Sequence, residues 1–150
     1  MPDAAEARQF SFSAVLVAGG SGSRFASQAG PSGHSEPKQF LPLNGYRLYI
    51  WSLSRIYKTV HIGKIVVTVP AYFVEEIRRE LEVIFPTSTQ SSKISVIAGG
   101  STRQESVYKG LSKLSELGKP DFVLVHDAAR PFISAKTIED AIDTVTARGA

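Results

Sequence analysis

Four short apolar segments, each followed by a segment with helical periodicity, constrain the fold of this 150-residue chain more than any other feature. The predicted strands span residues 14–17, 64–69, 93–97 and 122–125. The segments with apolar residues every three or four positions span residues 48–57, 73–84, 101–114 and 134–145. Alternation of strands with helices indicates βαβ units. The sequence therefore predicts a doubly wound α/β domain, with a mostly parallel sheet and helices on both faces.

The composition narrows the possible functions. A hydrophobic content of 43% with 21% charged residues is that of an ordinary globular protein. The net charge of +3 is too small to indicate nucleic-acid binding, although it suits an anionic small molecule. The chain lacks cysteine, which excludes disulfides, thiolate zinc sites and cysteine nucleophiles. No apolar run approaches the roughly 20 residues that span a bilayer, so we expect a cytoplasmic enzyme without membrane or nucleic-acid partners.

The predicted strands and helices form a single domain, and only a short N-terminal segment lies outside it. Residues 1–12 carry no buried-element pattern and are predicted to be a flexible leader. Residues 13–150 form the predicted domain. Since the sequence ends where a helix would lead into another strand, we expect this domain to be incomplete at its C-terminus.

The first strand leads into a glycine-rich segment that suits phosphate binding. Residues 18–22 read Ala-Gly-Gly-Ser-Gly, and Arg24 and Lys38 follow. Backbone amides in such a turn attract anions, and the two cations add fixed positive charge. The segment matches neither the dinucleotide fingerprint nor the P-loop. A tight turn without a ligand is therefore an open alternative.

Two further strand ends carry polar groups. Gly99 and Gly100 precede Ser101, which with Gln104 is predicted to form a capping box at a helix start. Asp127 directly follows the fourth strand, where a carboxylate is a common magnesium ligand in phosphate chemistry. A local ion pair between Asp127 and Arg130 is the alternative. Ligands of open α/β sheets bind beyond the carboxyl ends of the strands, so these segments are predicted to converge.

Four motifs taken together resemble one family. They are AGGSGSRF, PKQFLPLNG, AGGSTRQESV and VLVHDAARPF, in that order along the chain. They are similar to the motifs of the 2-C-methyl-D-erythritol 4-phosphate cytidylyltransferase family of the non-mevalonate isoprenoid pathway, over about residues 13–150. Ribitol-5-phosphate cytidylyltransferase shares the first two motifs. The resemblance implies a Rossmann-like nucleotidyltransferase fold and transfer of a cytidylyl group from CTP to a sugar-alcohol phosphate, with Mg²⁺.

The resemblance also implies roles for individual residues. Arg24 and Lys38 correspond to the catalytic pair that stabilises the reacting phosphorus and the leaving pyrophosphate. Asp127 corresponds to the magnesium ligand. The residues implied in nucleotide binding are Ala18, Gly19, Gly20, Ser21, Gly22, Gly100, Ser101, Ser106, Ala128 and Arg130. Among them, Gly100, Ser101 and Ser106 correspond to positions that select cytosine and hold the ribose side, and the resemblance attributes the paired glycines, Gly99 and Gly100, to recognition of the base.

This sequence departs from the family in three respects. The family often has proline and a second alanine where this chain has Val17 and Gly19. The loop between Arg24 and Lys38 is longer than usual. The family also continues well past residue 150, into a part that supplies acceptor contacts and the arm of a homodimer. A homodimer is therefore expected from the family, although its usual arm is absent. A non-catalytic CTP-binding fragment is the alternative to an enzyme.

Overall fold

A computed structural model describes residues 10–19, 37–86 and 93–148. The strands are β1 Phe12–Val17, β2 Pro42–Leu43, β3 Tyr46–Arg47, β4 Ile62–Val69, β5 Ile94–Ala98 and β6 Phe122–Asp127. The helices are α1 Leu48–Lys58, α2 Val74–Ile84, α3 Arg103–Leu117 and α4 Ala135–Arg148. Short 3₁₀ turns cover Lys38–Phe40 and Ala71–Phe73. Each of the four strands and four helices predicted from periodicity is present, with boundaries that differ by a few residues.

The central sheet is parallel and has the order β5-β4-β1-β6. Alternate residues of the two inner strands, β1 and β4, enter separate cores because successive side chains point to opposite faces. Helices α1, α2 and α4 pack on the face that presents Leu16 and Val67. Helix α3 packs on the other face through Leu114, against Val15 and Val66. The predicted α/β fold with helices on both faces is confirmed.

The packed domain begins before the predicted boundary at residue 13. Phe12 is the first residue of β1 and stacks on Phe122, while Phe10 meets the same ring edge to face. The Ser11 backbone N–H and hydroxyl both donate to the Asp121 carboxylate, at 2.9 and 2.8 Å. Residues 10–12 therefore belong to the domain, and the remainder of the predicted leader lies outside the described residues.

An antiparallel hairpin of β2 and β3 was not among the predicted elements. Its turn consists of Asn44 and Gly45, with φ angles of 50° and 86°. Both residues adopt the left-handed region that a two-residue hairpin turn requires, and the Asn-Gly dipeptide is the sequence most typical of that turn. Trp51 of α1 donates its indole N–H to the Leu43 carbonyl at 2.9 Å, which fixes the hairpin to the domain.

The cap of α3 lies one residue after the predicted position. The capping box is formed by Thr102 and Glu105, not by Ser101 and Gln104. The Thr102 hydroxyl accepts from the Glu105 N–H at 3.1 Å. The Glu105 carboxylate in turn accepts from the Ser101 N–H and hydroxyl, both at 2.7 Å. At α4 the predicted cap is confirmed, because the Ser134 hydroxyl accepts from the Thr137 N–H at 3.0 Å.

The capping carboxylate makes a pH-dependent contribution to stability. Hydrogen bonds from Ser101 and then Thr102 lower the pKa of Glu105 below its ordinary value. A group whose pKa is lowered by folding stabilises the protein above its unfolded pKa, and that contribution is lost as the pH falls through the folded pKa. Glu105→Ala should therefore lower the melting temperature near neutral pH. We expect the difference from wild type to be constant near neutral pH and to shrink once the pH falls below the ordinary pKa of glutamate, and a difference that stays the same in acid would contradict this.

One buried hydroxyl in β4 lacks a hydrogen bond. Among the described residues, Thr68 Oγ1 is the only fully buried side-chain oxygen or nitrogen without a partner. An unsatisfied buried hydroxyl costs about 1–3 kcal/mol. Thr68→Val should therefore raise the free energy of unfolding by about 1 kcal/mol in urea titrations. Thr59→Val is the matched control, because the buried Thr59 hydroxyl donates to the Arg55 carbonyl at 3.1 Å and its loss should not stabilise. A destabilised Thr68→Val variant would contradict this interpretation.

No helix within the described part of the chain is long and apolar enough to cross a membrane.

Candidate functional site

The strand order places a crevice at the carboxyl end of β1. The chain runs from β1 outward to β4 and β5, then returns to β6 on the opposite side of β1. Ligands of open α/β sheets bind at such a reversal of strand order. Val17 at the end of β1 pairs with Asp127 at the end of β6, and the Ala128 N–H donates to the Val17 carbonyl at 2.9 Å. The segments that carry Ala18 and Asp127 are thus neighbours, as predicted.

Two glycines bring the ends of β1 and β5 together over a buried serine. A Cβ on Gly19 would lie 2.8 Å from Ser106 Oγ and 3.3 Å from the Gly99 Cα. A Cβ on Gly99 would lie 2.7 Å from Ser106 Oγ and 3.3 Å from the Gly19 Cα. Real Cβ atoms essentially never approach another atom below 3.0 Å. Glycine at both positions is what permits this contact.

The serine beneath this contact is held by backbone groups. Ser106 is fully buried, and its hydroxyl accepts from the Gly100 N–H at 3.0 Å. The same hydroxyl donates to the Thr102 carbonyl at 3.0 Å. Gly100 has a separate reason to be glycine, because its Cβ would lie 2.1 Å from the Glu105 Cβ. Packing therefore accounts for both glycines before α3, and their predicted contacts with cytosine stay a prediction.

The carboxylate of Asp127 lies between two arginines. Arg103, the first residue of α3, donates through Nε to Asp127 Oδ1 at 2.8 Å. Arg130 places its Nε 3.3 Å from Oδ2, so the local ion pair considered as an alternative is present. Both arginines are largely exposed, and exposed ion pairs contribute little to stability. Asp127 therefore has two ion-pair partners, but neither pair holds its carboxylate rigidly.

Arg103 is a site residue that the sequence did not reveal by itself. It lies in the STRQES segment, whose neighbouring residues are accounted for by the start of α3. Its ion pair with Asp127 joins α3 to β6.

The loop after Asp127 is fixed from two sides. Ser52 of α1 donates to the Ala128 carbonyl at 2.9 Å, and the His126 ring nitrogen Nε2 lies 2.9 Å from the Arg130 carbonyl oxygen. His126 thus contributes to the structure of this loop.

Lys38 opens a 3₁₀ turn beside the same crevice. It contributes to a cavity of about 500 Å³ at the end of β6. The lining residues are Lys38, Leu48, His126, Ala129, Arg130, Pro131, Phe132 and Ile133. The structure thus brings Lys38 and Arg130 to one cavity, with Asp127 in the adjoining loop.

The 3₁₀ turn is anchored on the domain by aromatic packing. Phe40 is buried, with its ring centroid 4.6 Å from that of Phe73 and 5.8 Å from that of Tyr49. The fully buried Tyr49 donates its hydroxyl to Glu80 of α2 at 2.6 Å. Burial, followed by the Glu80 carboxylate, raises the pKa of Tyr49 far above its ordinary value. Tyr49 therefore stays protonated in the physiological pH range and keeps donating to Glu80. Arg47 also pairs with Glu80, at 3.3 Å, and its guanidinium lies over the Phe40 ring.

Part of the predicted site lies outside the described residues. Gly20, Ser21, Gly22 and Arg24 all fall in this part of the chain. The described remainder of the predicted site is gathered at the crevice. These residues are Ala18, Gly19, Lys38, Gly100, Ser101, Ser106, Asp127, Ala128 and Arg130.

The fold and this arrangement define a class of protein. A parallel α/β sheet, a glycine-rich strand end and a lysine and carboxylate at the strand reversal are the features of a nucleotidyltransferase-like domain. The sequence model of the IspD family, 2-C-methyl-D-erythritol 4-phosphate cytidylyltransferase, matches residues 12–150. The chain therefore belongs to this family.

Individual relatives agree with the family match. The 2-C-methyl-D-erythritol 4-phosphate cytidylyltransferase of Clostridium beijerinckii is 36% identical over 132 residues, which cover 87% of this chain and 52% of that protein. The crystal structure of the Francisella tularensis enzyme of the same name has a TM-score of 0.60 at 27% identity, covering 90% of this chain and 52% of that one. The 4-diphosphocytidyl-2C-methyl-D-erythritol synthase of Anaerococcus prevotii has the same fold, with a TM-score of 0.69 at 20% identity over 92% of this chain and 52% of that one. The chain spans about half the length of the curated relatives it matches.

Proposed function

We propose that this chain carries the nucleotide half of a cytidylyltransferase, which transfers CMP from CTP to 2-C-methyl-D-erythritol 4-phosphate in isoprenoid precursor biosynthesis in the cytoplasm. The observation that carries the proposal is the family match over residues 12–150. The gathering of Lys38, Asp127 and Arg130 around the crevice supports it.

The chemistry is an in-line displacement. A phosphate oxygen of the acceptor forms a bond to the α-phosphorus of CTP, the bond from that phosphorus to the bridging oxygen of the β-phosphate breaks, and pyrophosphate leaves. Positioning and charge neutralisation account for most of such catalysis. In this proposal, Lys38 and Arg24 donate to the phosphate oxygens where negative charge develops. The amides of the 18–22 segment hold the triphosphate.

Mg²⁺ is proposed as the cofactor. The described residues contain no group of three or more His, Cys, Asp or Glu side chains that could hold a metal alone. Magnesium in phosphate-transfer sites is usually held by one or two carboxylates, with substrate phosphates and water completing the shell. A single carboxylate therefore fits, and Asp127 would hold the ion once the nucleotide is present. When bound, the metal would neutralise charge on the phosphates.

The proposal is tested by measuring pyrophosphate release from CTP and Mg²⁺ with the purified chain. We expect release when 2-C-methyl-D-erythritol 4-phosphate is added, and none with CTP alone. A higher rate with ribitol 5-phosphate would assign the chain to the related enzyme, and absence of both release and CTP binding would contradict the proposal.

A second candidate is a CTP-binding fragment without catalysis. It is favoured by the coverage, since the chain spans 52% of the curated relatives, and the acceptor contacts and homodimer arm implied by the family belong to the other half. CTP binding in calorimetry without pyrophosphate release would support this candidate. Sedimentation of the purified chain would show whether a homodimer forms from these residues.

A further inference from the structure

Gln39 joins the two segments that the proposed reaction needs close together. Its side-chain amide Nε2 donates to the Ala18 carbonyl at 2.7 Å, across 21 positions of the sequence. Ala18 is buried, and its own N–H donates to the Thr68 carbonyl at 2.8 Å. The residue that leads from β1 into the glycine-rich segment is therefore held on one side by β4 and on the other by Gln39.

The position of Gln39 is itself fixed by its neighbours. The buried Phe40 ring anchors the 3₁₀ turn on the domain, and the Phe40 N–H donates to the Pro37 carbonyl at 2.8 Å. The Leu41 N–H closes the turn on the Lys38 carbonyl at 3.2 Å. In such a short turn, the direction of the side chain at one residue is tied to the backbone of the next. A bond from Gln39 to Ala18 therefore constrains where the Lys38 side chain begins.

We infer that Gln39 is a positioning residue, which sets the distance between Lys38 and the strand end that holds the nucleotide phosphates. The inference rests on the proposed function. Gln39 acts through Lys38 and the Ala18 carbonyl and does not itself touch the reacting atoms. Without it, Lys38 would remain on the 3₁₀ turn, but that turn would no longer be tied to the end of β1 at the Ala18 carbonyl. Misplacing a donor to a phosphate loses most of its contribution to binding.

The test is a double-mutant cycle on CTP binding, with Gln39→Met and Lys38→Ala. Methionine keeps the volume and flexibility of glutamine but cannot donate to Ala18. Kd values for CTP with Mg²⁺ are measured by calorimetry for wild type, both single variants and the double variant. We expect Gln39→Met to weaken binding about tenfold. In the Lys38→Ala background the same change should weaken binding by less than about twofold, because coupled residues are not additive.

The four Kd values distinguish a positioning role from a purely structural one. Equal weakening by Gln39→Met in both backgrounds would overturn the inference, because the effect would then not pass through Lys38. Unchanged binding in the single Gln39→Met variant would overturn it as well. Melting temperatures of all four proteins control for folding, and Ser115→Ala, an exposed change on α3, is the control for an unrelated polar substitution. A wild-type chain that binds no CTP would instead overturn the proposed function, and the inference with it.

Discussion

Substitution of Gly99 by alanine is expected to lower the free energy of unfolding by about 2 kcal/mol and to weaken nucleotide binding. The added Cβ would lie 2.7 Å from Ser106 Oγ and 3.3 Å from the Gly19 Cα. The serine has little freedom to move, because its hydroxyl bonds both the Gly100 N–H and the Thr102 carbonyl. The backbone of Gly19 would have to move as well, and this is the backbone that leads into the glycine-rich segment. Urea titration and CTP calorimetry on the same variant measure the two effects.

A matched substitution isolates the clash. A Cβ on Gly63, in β4, would meet only the Phe12 carbonyl oxygen at 3.5 Å, an ordinary contact. Gly63→Ala should therefore leave CTP binding unchanged. Removing the opposing hydroxyl in Gly99→Ala/Ser106→Ala should relieve the closest contact and recover part of the free energy of unfolding. If Gly99→Ala binds CTP as wild type does and is equally stable, the close contact of the two strand ends is not required for the site.

Lys38→Ala is expected to reduce the rate of pyrophosphate release by about 10²–10³-fold, the usual effect of removing one donor from developing negative charge. Lys38 is exposed, so the melting temperature should stay within about 1 °C of wild type. Some CTP affinity should remain, since the backbone amides of the 18–22 segment are untouched. The steady-state rate at saturating CTP and acceptor is the measurement.

The control for this variant is a lysine away from the crevice. Lys58 is exposed at the end of α1, so Lys58→Ala removes the same charge without touching the crevice. Its rate should equal that of wild type. A Lys38→Ala rate close to that of Lys58→Ala would contradict a catalytic role for Lys38, because loss of either positive charge would then have the same effect.

The sheet could be predicted from the sequence chiefly because its inner strands, β1 and β4, are largely buried on both faces. The segment 14–17 is continuously apolar and is followed by glycines, and the segment 64–69 ends at Pro70, so their lengths and boundaries are visible locally. The hairpin around Asn44 was not predicted, because its strands contain only two residues each and show no periodicity, although the Asn-Gly dipeptide is a signal of its turn. The cap of α3 was misplaced because Ser101 and Thr102 are both good capping residues, and only the backbone geometry decides between them.

The site could be predicted only in its outline. The ends of β1 and β6 meet because parallel strands end at one edge, which follows from the fold. Two contacts join residues more than 20 positions apart, Gln39 with Ala18 and Arg103 with Asp127. No local sequence pattern predicts such contacts. The paired glycines before α3 were attributed to base recognition by resemblance, whereas the structure gives each of them a steric reason. Their contribution to cytosine selection remains a prediction.

The central claim is that the crevice at the ends of β1 and β6 binds CTP. Calorimetric titration of the chain with CTP in the presence of Mg²⁺, beside parallel titrations with UTP and ATP, tests it most directly. We predict saturable binding of one CTP per chain, at least about tenfold tighter than either UTP or ATP, and weaker in the Lys38→Ala variant. Absence of CTP binding, or equal binding of the three nucleotides, would contradict the claim.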